Sequence, residues 1–317
     1  MIDKALILAA GKGTRMWPLT DNTPKPLLPL GGEPIIQRQI KELKKIGVEE
    51  VYVLIGYRMK EISDFLGNGE EYGVKIEYIV QGNQKGTGHA VLQAEGKIND
   101  AFYCVNGDIN IDKKNLGKMN KGKNKIVMMT TKVSDSLRFG VVDSKKGKLI
   151  SITEKAVAGE AMINAGQYVF SPKIFDAIKK VGKSPRGEYE ITDALQAMAD
   201  VVEVVEYDGF WKDIGCPWDL ITANENIIDY IEEELKGDIR LTFGKLEIFP
   251  GASNVVPSTV TGLQEIRATK YNDLKRIYKQ TLEIANDIAL SSNVTYKSKL
   301  LWRDKPAKMS DSINDIV

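Results

Sequence analysis

Apolar runs alternate regularly with amphipathic stretches over roughly the first third of the chain, and few folds are compatible with this pattern. Residues 4–10 (KALILAA) form an apolar run that ends at a glycine, which is typical of a strand buried on both faces of a parallel sheet. Residues 34–47 carry isoleucine and leucine at helical spacing, with proline at the start and glycine at the end. The segment therefore predicts a helix that covers the sheet.

The same alternation continues to residue 109. Strands are predicted at 48–57, 74–81 and 101–109, and helices at 59–67 and 88–98. Strands and helices at this spacing indicate βαβ units, and we predict an α/β fold with a Rossmann-like mixed, mostly parallel sheet flanked by helices. Ligands of such sheets bind outside the carboxyl ends of the strands, so the loops after the strands are the places to search for chemistry.

The middle of the chain changes character. Residues 125–169 contain shorter strands and more turns, which predicts an antiparallel extension of the sheet that forms a wall for a second substrate. Helices are expected around 191–199 and over 217–235. We place a boundary at Gly237, so that residues 1–236 form the large domain and residues 237–317 a smaller carboxy-terminal region.

The carboxy-terminal region has its own pattern. Short apolar runs broken by glycine and proline predict short strands over 238–265, and residues 271–290 place apolar side chains on one helical face. This face requires a covering surface, either the large domain or a second subunit, so we expect a packing or oligomerisation element and a homo-oligomer. The last residues, from about 305, are expected to form a frayed tail.

Charge and cysteine content exclude several classes of partner. The chain has 44 Lys and Arg against 43 Asp and Glu, a formal charge of +1, so no whole-protein field attracts nucleic acid or an anionic membrane. Two cysteines without metal-ligand spacing fit a reducing compartment. The first apolar run is too short for a membrane span or a signal-peptide core, and we expect a cytoplasmic protein with neither nucleic-acid nor membrane partners.

The loop after the first strand carries residues suited to phosphate binding. Residues 11–15 (GKGTR) are small enough for backbone N–H groups to approach a phosphate chain, and Arg15 can donate paired hydrogen bonds to it. A dinucleotide-binding fingerprint requires a third glycine where Met16 stands, and a Walker loop requires Gly-Lys followed by Ser or Thr. Neither familiar loop therefore fits.

The following segment makes the pattern more specific. Lys25 lies between two prolines, and further prolines at 18 and 29 stiffen the stretch. Two cations, Arg15 and Lys25, are thereby presented to one polyanion.

With these residues the sequence resembles the sugar-1-phosphate nucleotidyltransferases. The members that it resembles are the glucose-1-phosphate thymidylyl- or uridylyltransferases and the N-acetylglucosamine-1-phosphate uridylyltransferases. That family opens with L-A-A-G-x-G-T-R-x-x-P-L-T followed by P-K-x-L-L-P, as this chain does. Further family motifs follow in order: Gln81, 86–90 (GTGHA), 106–108 (NGD), 139–140 (FG), 154–155 (EK), 164–166 (NAG), 187–193 (GEYEITD) and 211–215 (WKDIG). The resemblance covers residues 1 to about 236.

This resemblance implies an in-line displacement in which a sugar 1-phosphate oxygen attacks the α-phosphorus of a nucleoside triphosphate and pyrophosphate leaves. Arg15 and Lys25 are the implied catalytic cations, because phosphoryl-transfer catalysis consists chiefly of positioning and of neutralising phosphate charge. Asp108 and Asp213 are the implied ligands of Mg²⁺, which takes one or two carboxylates plus substrate phosphates. Read alone, Asp108 could instead cap a turn.

The resemblance also assigns residues to the two substrates. The implied nucleotide-binding residues are Ala10, Gly11, Gly13, Thr14, Gln81, Gly86 and Thr87. The implied residues around the sugar phosphate are Gly140, Glu154, Lys155, Asn164 and Glu188. GTGHA resembles uridylyltransferases that act on N-acetylglucosamine 1-phosphate, so UTP is preferred over dTTP, and the sugar is N-acetylglucosamine 1-phosphate or glucose 1-phosphate.

Two other functions compete with this one. A catalytically silent, sugar-nucleotide-binding regulatory subunit would lack the catalytic cations and carboxylates, which are all present here. A Rossmann-type dehydrogenase requires an acidic residue at a strand end, whereas Glu33 lies in a Gly-Gly-Glu-Pro loop. Related chains often add a β-helix of hexapeptide repeats with acetyltransferase activity; residues 238–317 lack those repeats, so we expect no such activity.

Overall fold

The structure is a computed structural model that describes residues 2–154, 159–185, 187–234, 239–249 and 259–268, residues 295–300, and ten further positions between 271 and 285. Its strands are β1 (Lys4–Leu8), β2 (Pro29–Leu30), β3 (Glu33–Pro34), β4 (Glu50–Ile55), β5 (Lys75–Val80), β6 (Phe102–Asn106), β7 (Ile126–Val133), β8 (Gly140–Lys145), β9 (Lys148–Glu154), β10 (Ala161–Phe170), β11 (Val202–Glu206), β12 (Ile239–Phe249) and β13 (Thr259–Ala268). Its helices are α1 (Leu19–Asn22), α2 (Ile35–Lys45), α3 (Met59–Leu66), α4 (Thr87–Leu92), α5 (Lys113–Lys118), α6 (Lys173–Lys180), α7 (Ile191–Ala197) and α8 (Pro217–Glu234).

Nine of the described strands form one mixed sheet, in the order β5-β4-β1-β6-β10-β7-β11-β9-β8. The four strands β5, β4, β1 and β6 are parallel neighbours. Strand β10 runs antiparallel to β6, β7 and β8, while β11 is parallel to β7. The predicted α/β class with a Rossmann-like mixed sheet is confirmed. The strands within residues 125–169 pair antiparallel, as predicted.

The apolar runs explain why this sheet is covered on both faces. In β1, Ala5 and Ile7 face one core and Leu6 faces the other, and all three are completely buried. Helices α2, α3 and α5 contribute to the first core, and α4, α6 and α7 to the second. Because the first four strands are parallel, their carboxyl ends lie at one edge of the sheet, which is where the phosphate-binding loop emerges.

The chain divides into two compact units, Met1–Leu28 with Glu33–Leu220, and Pro29–Gly32 with Ile221–Val317. This division falls within α8, earlier than the predicted boundary at Gly237, and the assignment of residues 1–236 to one functional domain stays a prediction. Every residue assigned above to nucleotide, sugar phosphate or metal belongs to the first unit.

The second unit contains the antiparallel pair β12 and β13, which are 11 and 10 residues long. We expected short strands here, and that expectation is wrong for these residues. The pairing register shifts between Phe243 and Lys245, so a bulge at Gly244 accommodates the glycine that the sequence pattern had suggested as a break.

The amphipathic stretch at 271–290 is described only in part. The described positions from Tyr271 to Ala285 are helical, and Ile277 is buried. The other positions of this stretch and the tail from 305 lie outside the described residues, so the oligomerisation element stays a prediction. Within the described part of the chain, no helix has the length and apolarity needed to cross a membrane.

Candidate active site

The phosphate-binding loop is held by contacts that require glycine at one position. Gly13 has a left-handed φ of 63°, and a side chain there would bring its Cβ to 3.0 Å from Cβ of Lys25. The Thr20 hydroxyl donates to the Gly13 carbonyl at 2.9 Å. The fold thus brings the loop of Arg15 against the segment of Lys25, as the sequence suggested. Gly11 is exposed, and a Cβ built there would meet no atom within 4 Å, so the space beside this glycine is open.

Asp108 is positioned by the end of β6 and by a glutamine of α2. The Gly107 N–H donates to the Leu8 carbonyl at 3.0 Å, and a Cβ at Gly107 would lie only 2.7 Å from that oxygen. The Gln39 amide donates to the Asn106 and Ile109 carbonyls, both at 2.8 Å. These contacts fix the turn that carries Asp108 at the carboxyl edge of the sheet.

A short antiparallel bridge brings Asp213 beside Asp108. Ile109 pairs with Asp213, and the Ile214 N–H donates to the Asp108 carbonyl at 2.8 Å. The Asn110 N–H donates to the Lys212 carbonyl at 3.2 Å. Two carboxylates that are distant in the sequence are thereby held together by backbone pairing.

Two cations offset the charge of this carboxylate pair. Lys25 Nζ lies 2.6 Å from Asp108 Oδ2, and Arg138 Nη2 lies 3.1 Å from Asp213 Oδ2. Burial, with the nearby Asp108 charge, raises the pKa of Asp213 to about 6, although Lys25, Arg138 and Arg15 act against the shift. Hard carboxylate oxygens in a partly buried pair fit Mg²⁺, which usually completes its coordination with water and substrate phosphates.

Asp108 and Asp213 supply fewer ligands than a metal site built from protein side chains alone. Among the residues that the structure describes, no group of three or more His, Cys, Asp or Glu side chains could hold an ion by itself. The donor set of Asp108 and Asp213 therefore suits an ion shared with a phosphate-bearing substrate.

Gly215 makes room for the charged groups around Asp213. A Cβ at this position would lie 2.3 Å from Arg138 Nη2, 2.8 Å from Asp213 Oδ2 and 3.3 Å from Arg15 Nη1. Two arginines and a carboxylate therefore converge on the space that glycine leaves open.

Substituting Gly215→Ala is expected to lower kcat by about ten- to a hundredfold, because the methyl group displaces the Asp213 carboxylate and a shift of about 1 Å can have that effect. Steady-state rates and a thermal unfolding curve measure the two consequences separately. Gly117→Ala is the matched control, since a Cβ at Gly117 meets no atom within 4 Å. Unchanged kcat for Gly215→Ala would contradict the assignment.

The residues assigned to the base lie at the end of β5 and the start of α4. Gln81 is buried, and its Nε2 lies 3.2 Å from Nδ1 of His89. Burial, followed by the charge of Lys85, lowers the pKa of His89, so the neutral ring can accept this hydrogen bond. The contact leaves the side-chain amide oxygen of Gln81, Oε1, available as an acceptor for a base.

Gly86 and Thr87 also have roles within the protein. A Cβ at Gly86 would lie 2.5 Å from the Tyr189 carbonyl oxygen, so close backbone packing explains this glycine. The Thr87 hydroxyl accepts from the Ile191 N–H at 3.1 Å and lies 3.5 Å from Glu190 Oε2. The expected approach of this hydroxyl to the base therefore competes with contacts at the start of α7.

Part of the predicted sugar site is also assembled. Gly140 and Glu154 are cross-strand partners, and a Cβ at Gly140 would lie 3.0 Å from Glu154 Oε1. The Thr192 hydroxyl donates to the same oxygen at 3.0 Å. Glycine here keeps the surface beside the Glu154 carboxylate open.

The remaining sugar residues are placed differently. The Asn164 amide donates to the Tyr168 hydroxyl at 2.7 Å and accepts from the Gly166 N–H at 3.1 Å. Glu188 is exposed in the loop before α7, and its side chain lies close to the space above Gly86. Lys155 lies outside the described residues. The helix α7 links the base and sugar groups, since its first turn contacts both Thr87 and Glu154.

Sequence reasoning did not single out Arg138 or Asp219. Asp219 Oδ2 accepts from the backbone N–H groups of Gly215 and Cys216, at 2.9 and 2.8 Å. The signal was present as Cys216-Pro217-Trp218-Asp219, with proline at the first helical position and an acidic residue three positions after the cap. For Arg138, the available signal was its place directly before the Phe-Gly motif.

The family model described as nucleotidyl transferase matches residues 4–230. The chain belongs to that family. The resemblance to sugar-1-phosphate nucleotidyltransferases is confirmed. Glu33, the acidic residue that a dehydrogenase would use to bind a ribose, instead forms ion pairs with Arg38 and Lys41 of α2.

Two relatives of this nucleotidyl transferase are similar to it over more than two thirds of the chain. The bifunctional protein GlmU of Methanococcus aeolicus is 38% identical over 78% of this chain and 59% of its own length. The low-salt glycan biosynthesis nucleotidyltransferase Agl11 of Haloferax volcanii is 34% identical over 71% of this chain and 66% of its own. The chain thus spans under two thirds of these relatives, and their whole activities do not transfer directly.

Solved structures show the same fold. A Bacillus anthracis protein assigned as a glucose-1-phosphate thymidylyltransferase, in complex with a sucrose, has a TM-score of 0.64 and 32% identity over 70% of this chain and 93% of its own. A UDP-glucose pyrophosphorylase complexed with UDP-glucose has a TM-score of 0.61 and 25% identity over 74% of this chain and 100% of its own.

Proposed function

We propose that this protein transfers a nucleotidyl group from a nucleoside triphosphate to a sugar 1-phosphate and releases pyrophosphate. The observation that carries the proposal is the gathering of Arg15, Lys25, Asp108 and Asp213 at the carboxyl edge of the parallel strands. Family membership supports the same reaction class. The described residues contain no Ser-His-Asp arrangement around His89, the one histidine of the sequence, and a direct displacement requires no enzyme nucleophile.

The side chains have distinct tasks in this reaction. Arg15, which is exposed at the loop, and Lys25, which is buried behind it, neutralise negative charge on the triphosphate and hold it in line. Asp108 and Asp213 would hold Mg²⁺, whose charge offsets that of the phosphates when it is bound. The backbone bridge between their segments keeps the two carboxylates side by side for this purpose.

The proposed donor is a pyrimidine nucleoside triphosphate, with UTP preferred and dTTP second. Gln81 supports this choice, because its Nε2 is directed to His89 and its oxygen can accept the N3–H of uracil or thymine. Both bases share that N–H, so the contact selects pyrimidines of this kind and the preference for UTP comes from the GTGHA resemblance alone.

The proposed acceptor is N-acetylglucosamine 1-phosphate or glucose 1-phosphate. Glu154 beside Gly140 offers carboxylate oxygens to sugar hydroxyls, and Asn164 lies on the neighbouring strand β10. Lys155 and Glu188 are proposed at the same site from the family resemblance. We further propose that the protein functions as a homo-oligomer and that it lacks acetyltransferase activity.

Pyrophosphate release from the full chain, with Mg²⁺, tests the proposal directly. The assay pairs UTP, dTTP, ATP or GTP with N-acetylglucosamine 1-phosphate, glucose 1-phosphate or no acceptor. We expect release only when a pyrimidine nucleotide and a sugar phosphate are both present. Strict use of ATP or GTP would overturn the donor assignment. Binding of a nucleotide sugar without turnover in any combination would instead indicate the silent regulatory subunit.

A further inference from the structure

Arg138 is a charged residue near the carboxylate pair to which neither the motifs nor the proposed reaction assigns a role. It precedes Phe139 and strand β8, and its Nη2 lies 3.1 Å from Asp213 Oδ2 and 3.8 Å from Asp219 Oδ2. Asp219 has a second cation, because its Oδ1 lies 2.8 Å from Lys212 Nζ. The guanidinium of Arg138 therefore lies between two acidic side chains, that of Asp213 and that of Asp219 in the first turn of α8.

The guanidinium group of Arg138 is supported by aromatic packing. The guanidinium carbon lies 5.7 Å from the centre of the Phe139 ring, which makes an edge contact with Trp211 at 5.6 Å. The Trp211 indole N–H donates to the Ala165 carbonyl of β10 at 3.0 Å. Gly215 leaves the space into which the Arg138 guanidinium extends. The arginine is thus directed at Asp213 by the surrounding fold.

The two ion pairs of the site differ in how easily they can open. The Lys25 side chain is 10% exposed, whereas that of Arg138 is 44% exposed. An exposed cation keeps most of its hydration when it leaves its partner, so separating that ion pair costs little free energy. A buried lysine that leaves its carboxylate stays in a poorly hydrated place, so separating that pair costs more. Arg138 also has Asp219 within reach as an alternative partner.

A divalent cation at Asp108 and Asp213 would bind the same Asp213 carboxylate that Arg138 contacts. Because the cation and the guanidinium are both positively charged, they compete for that carboxylate. We infer that Arg138 is an exchangeable counter-ion for Asp213: it contacts Oδ2 of Asp213 and moves towards Asp219 when a divalent cation binds. This inference rests on the proposed function, since it assumes that Asp213 is a metal ligand.

A counter-ion of this kind is a positioning residue, which acts on the metal through Asp213. Without it, two neighbouring carboxylates, one of them largely buried, would repel each other before the ion arrives. With it, the metal must compete against a positive charge. Removing the arginine should therefore strengthen metal binding, whereas loss of a merely structural residue would weaken it.

Calorimetric titration of the full chain with Mn²⁺, in the absence of nucleotide, measures this competition. Arg138→Gln is expected to bind Mn²⁺ about three- to tenfold more tightly than the wild type, as the loss of an exposed ion pair implies. Arg138→Lys keeps the charge and is expected to stay within about twofold of the wild type. Lys60→Gln, which removes the same charge from a surface pair with Asp64 on α3, is the matched control.

Several results would overturn the inference. Unchanged or weaker Mn²⁺ binding by Arg138→Gln would do so, as would equal tightening by Arg138→Lys or Lys60→Gln. Absence of Mn²⁺ binding in both the wild type and Arg138→Gln would also overturn it. Circular dichroism of each variant shows that its fold is retained. The proposed function is judged separately by pyrophosphate release with nucleotides, so it can stand while the counter-ion role fails.

Discussion

Replacing Asp108 with asparagine is expected to abolish magnesium-dependent turnover, with a loss of at least about a thousandfold, because it removes one of two carboxylates available to the metal. The amide has nearly the same shape as the carboxylate, so the backbone bridge between Ile109 and Asp213 is expected to persist. Asp213→Asn is expected to have the same effect. Pyrophosphate release measured over a range of Mg²⁺ concentrations checks both variants.

The control for this experiment is Asp64→Asn. Asp64 is an exposed acidic residue of α3 that pairs with Lys60, and its loss removes one negative charge from the first unit without touching the site. We expect wild-type rates from this control. Activity retained in Asp108→Asn at saturating Mg²⁺ would contradict the metal assignment, even if the protein remained a nucleotidyltransferase by another arrangement.

Removal of the Arg15 side chain is expected to lower kcat by about a hundred- to a thousandfold, equivalent to about 2.7–4 kcal/mol of transition-state stabilisation. The Arg15 guanidinium lies near Asp213: a Cβ built at Gly215 would be 3.3 Å from Arg15 Nη1 and 2.8 Å from Asp213 Oδ2. A fixed cation at that place acts on charge that develops as pyrophosphate leaves, so the loss falls mainly on kcat. Initial rates of Arg15→Ala at varied UTP concentration separate kcat from KM.

Arg15 gives a cleaner test than Lys25. Lys25 is buried against Asp108, so Lys25→Ala removes a catalytic cation and also leaves a carboxylate unpaired, which affects stability as well as rate. Arg15 is exposed, and its removal leaves the core intact. Arg38→Ala is the matched control, because it removes an arginine of α2 that pairs with Glu33 of β3. Equal kcat for Arg15→Ala and the wild type would refute the assignment.

The fold was predictable wherever burial produces a clear period. The β1 run and the helix α2 were both identified from the spacing of apolar residues, within a few residues of their ends. Short elements with weaker periodicity were missed, among them α5 and β11. The long strands β12 and β13 were underestimated, because a glycine that breaks a sequence pattern can be absorbed as a bulge once two strands pair.

The candidate site was likewise predictable only in part. The motifs identified Arg15, Lys25, Asp108 and Asp213 as a group, although the metal and the residue roles stay predictions. No local pattern indicated that Arg138 would face Asp213, or that the Thr87 hydroxyl would be engaged by α7. These contacts join segments that are distant along the chain, and spacing within one segment carries no information about them.

The amino-acid sequence was enough to predict the class of fold, the order of the motifs and the residue types available for phosphate and metal chemistry. Those properties follow from local periodicity and from the chemistry of single side chains. The contacts between distant segments came from the three-dimensional structure, in which a backbone bridge joins the Asp108 and Asp213 segments and Arg138 faces Asp213. The structure also shows that Lys25 is buried and Arg138 is exposed, because burial depends on everything packed around a side chain.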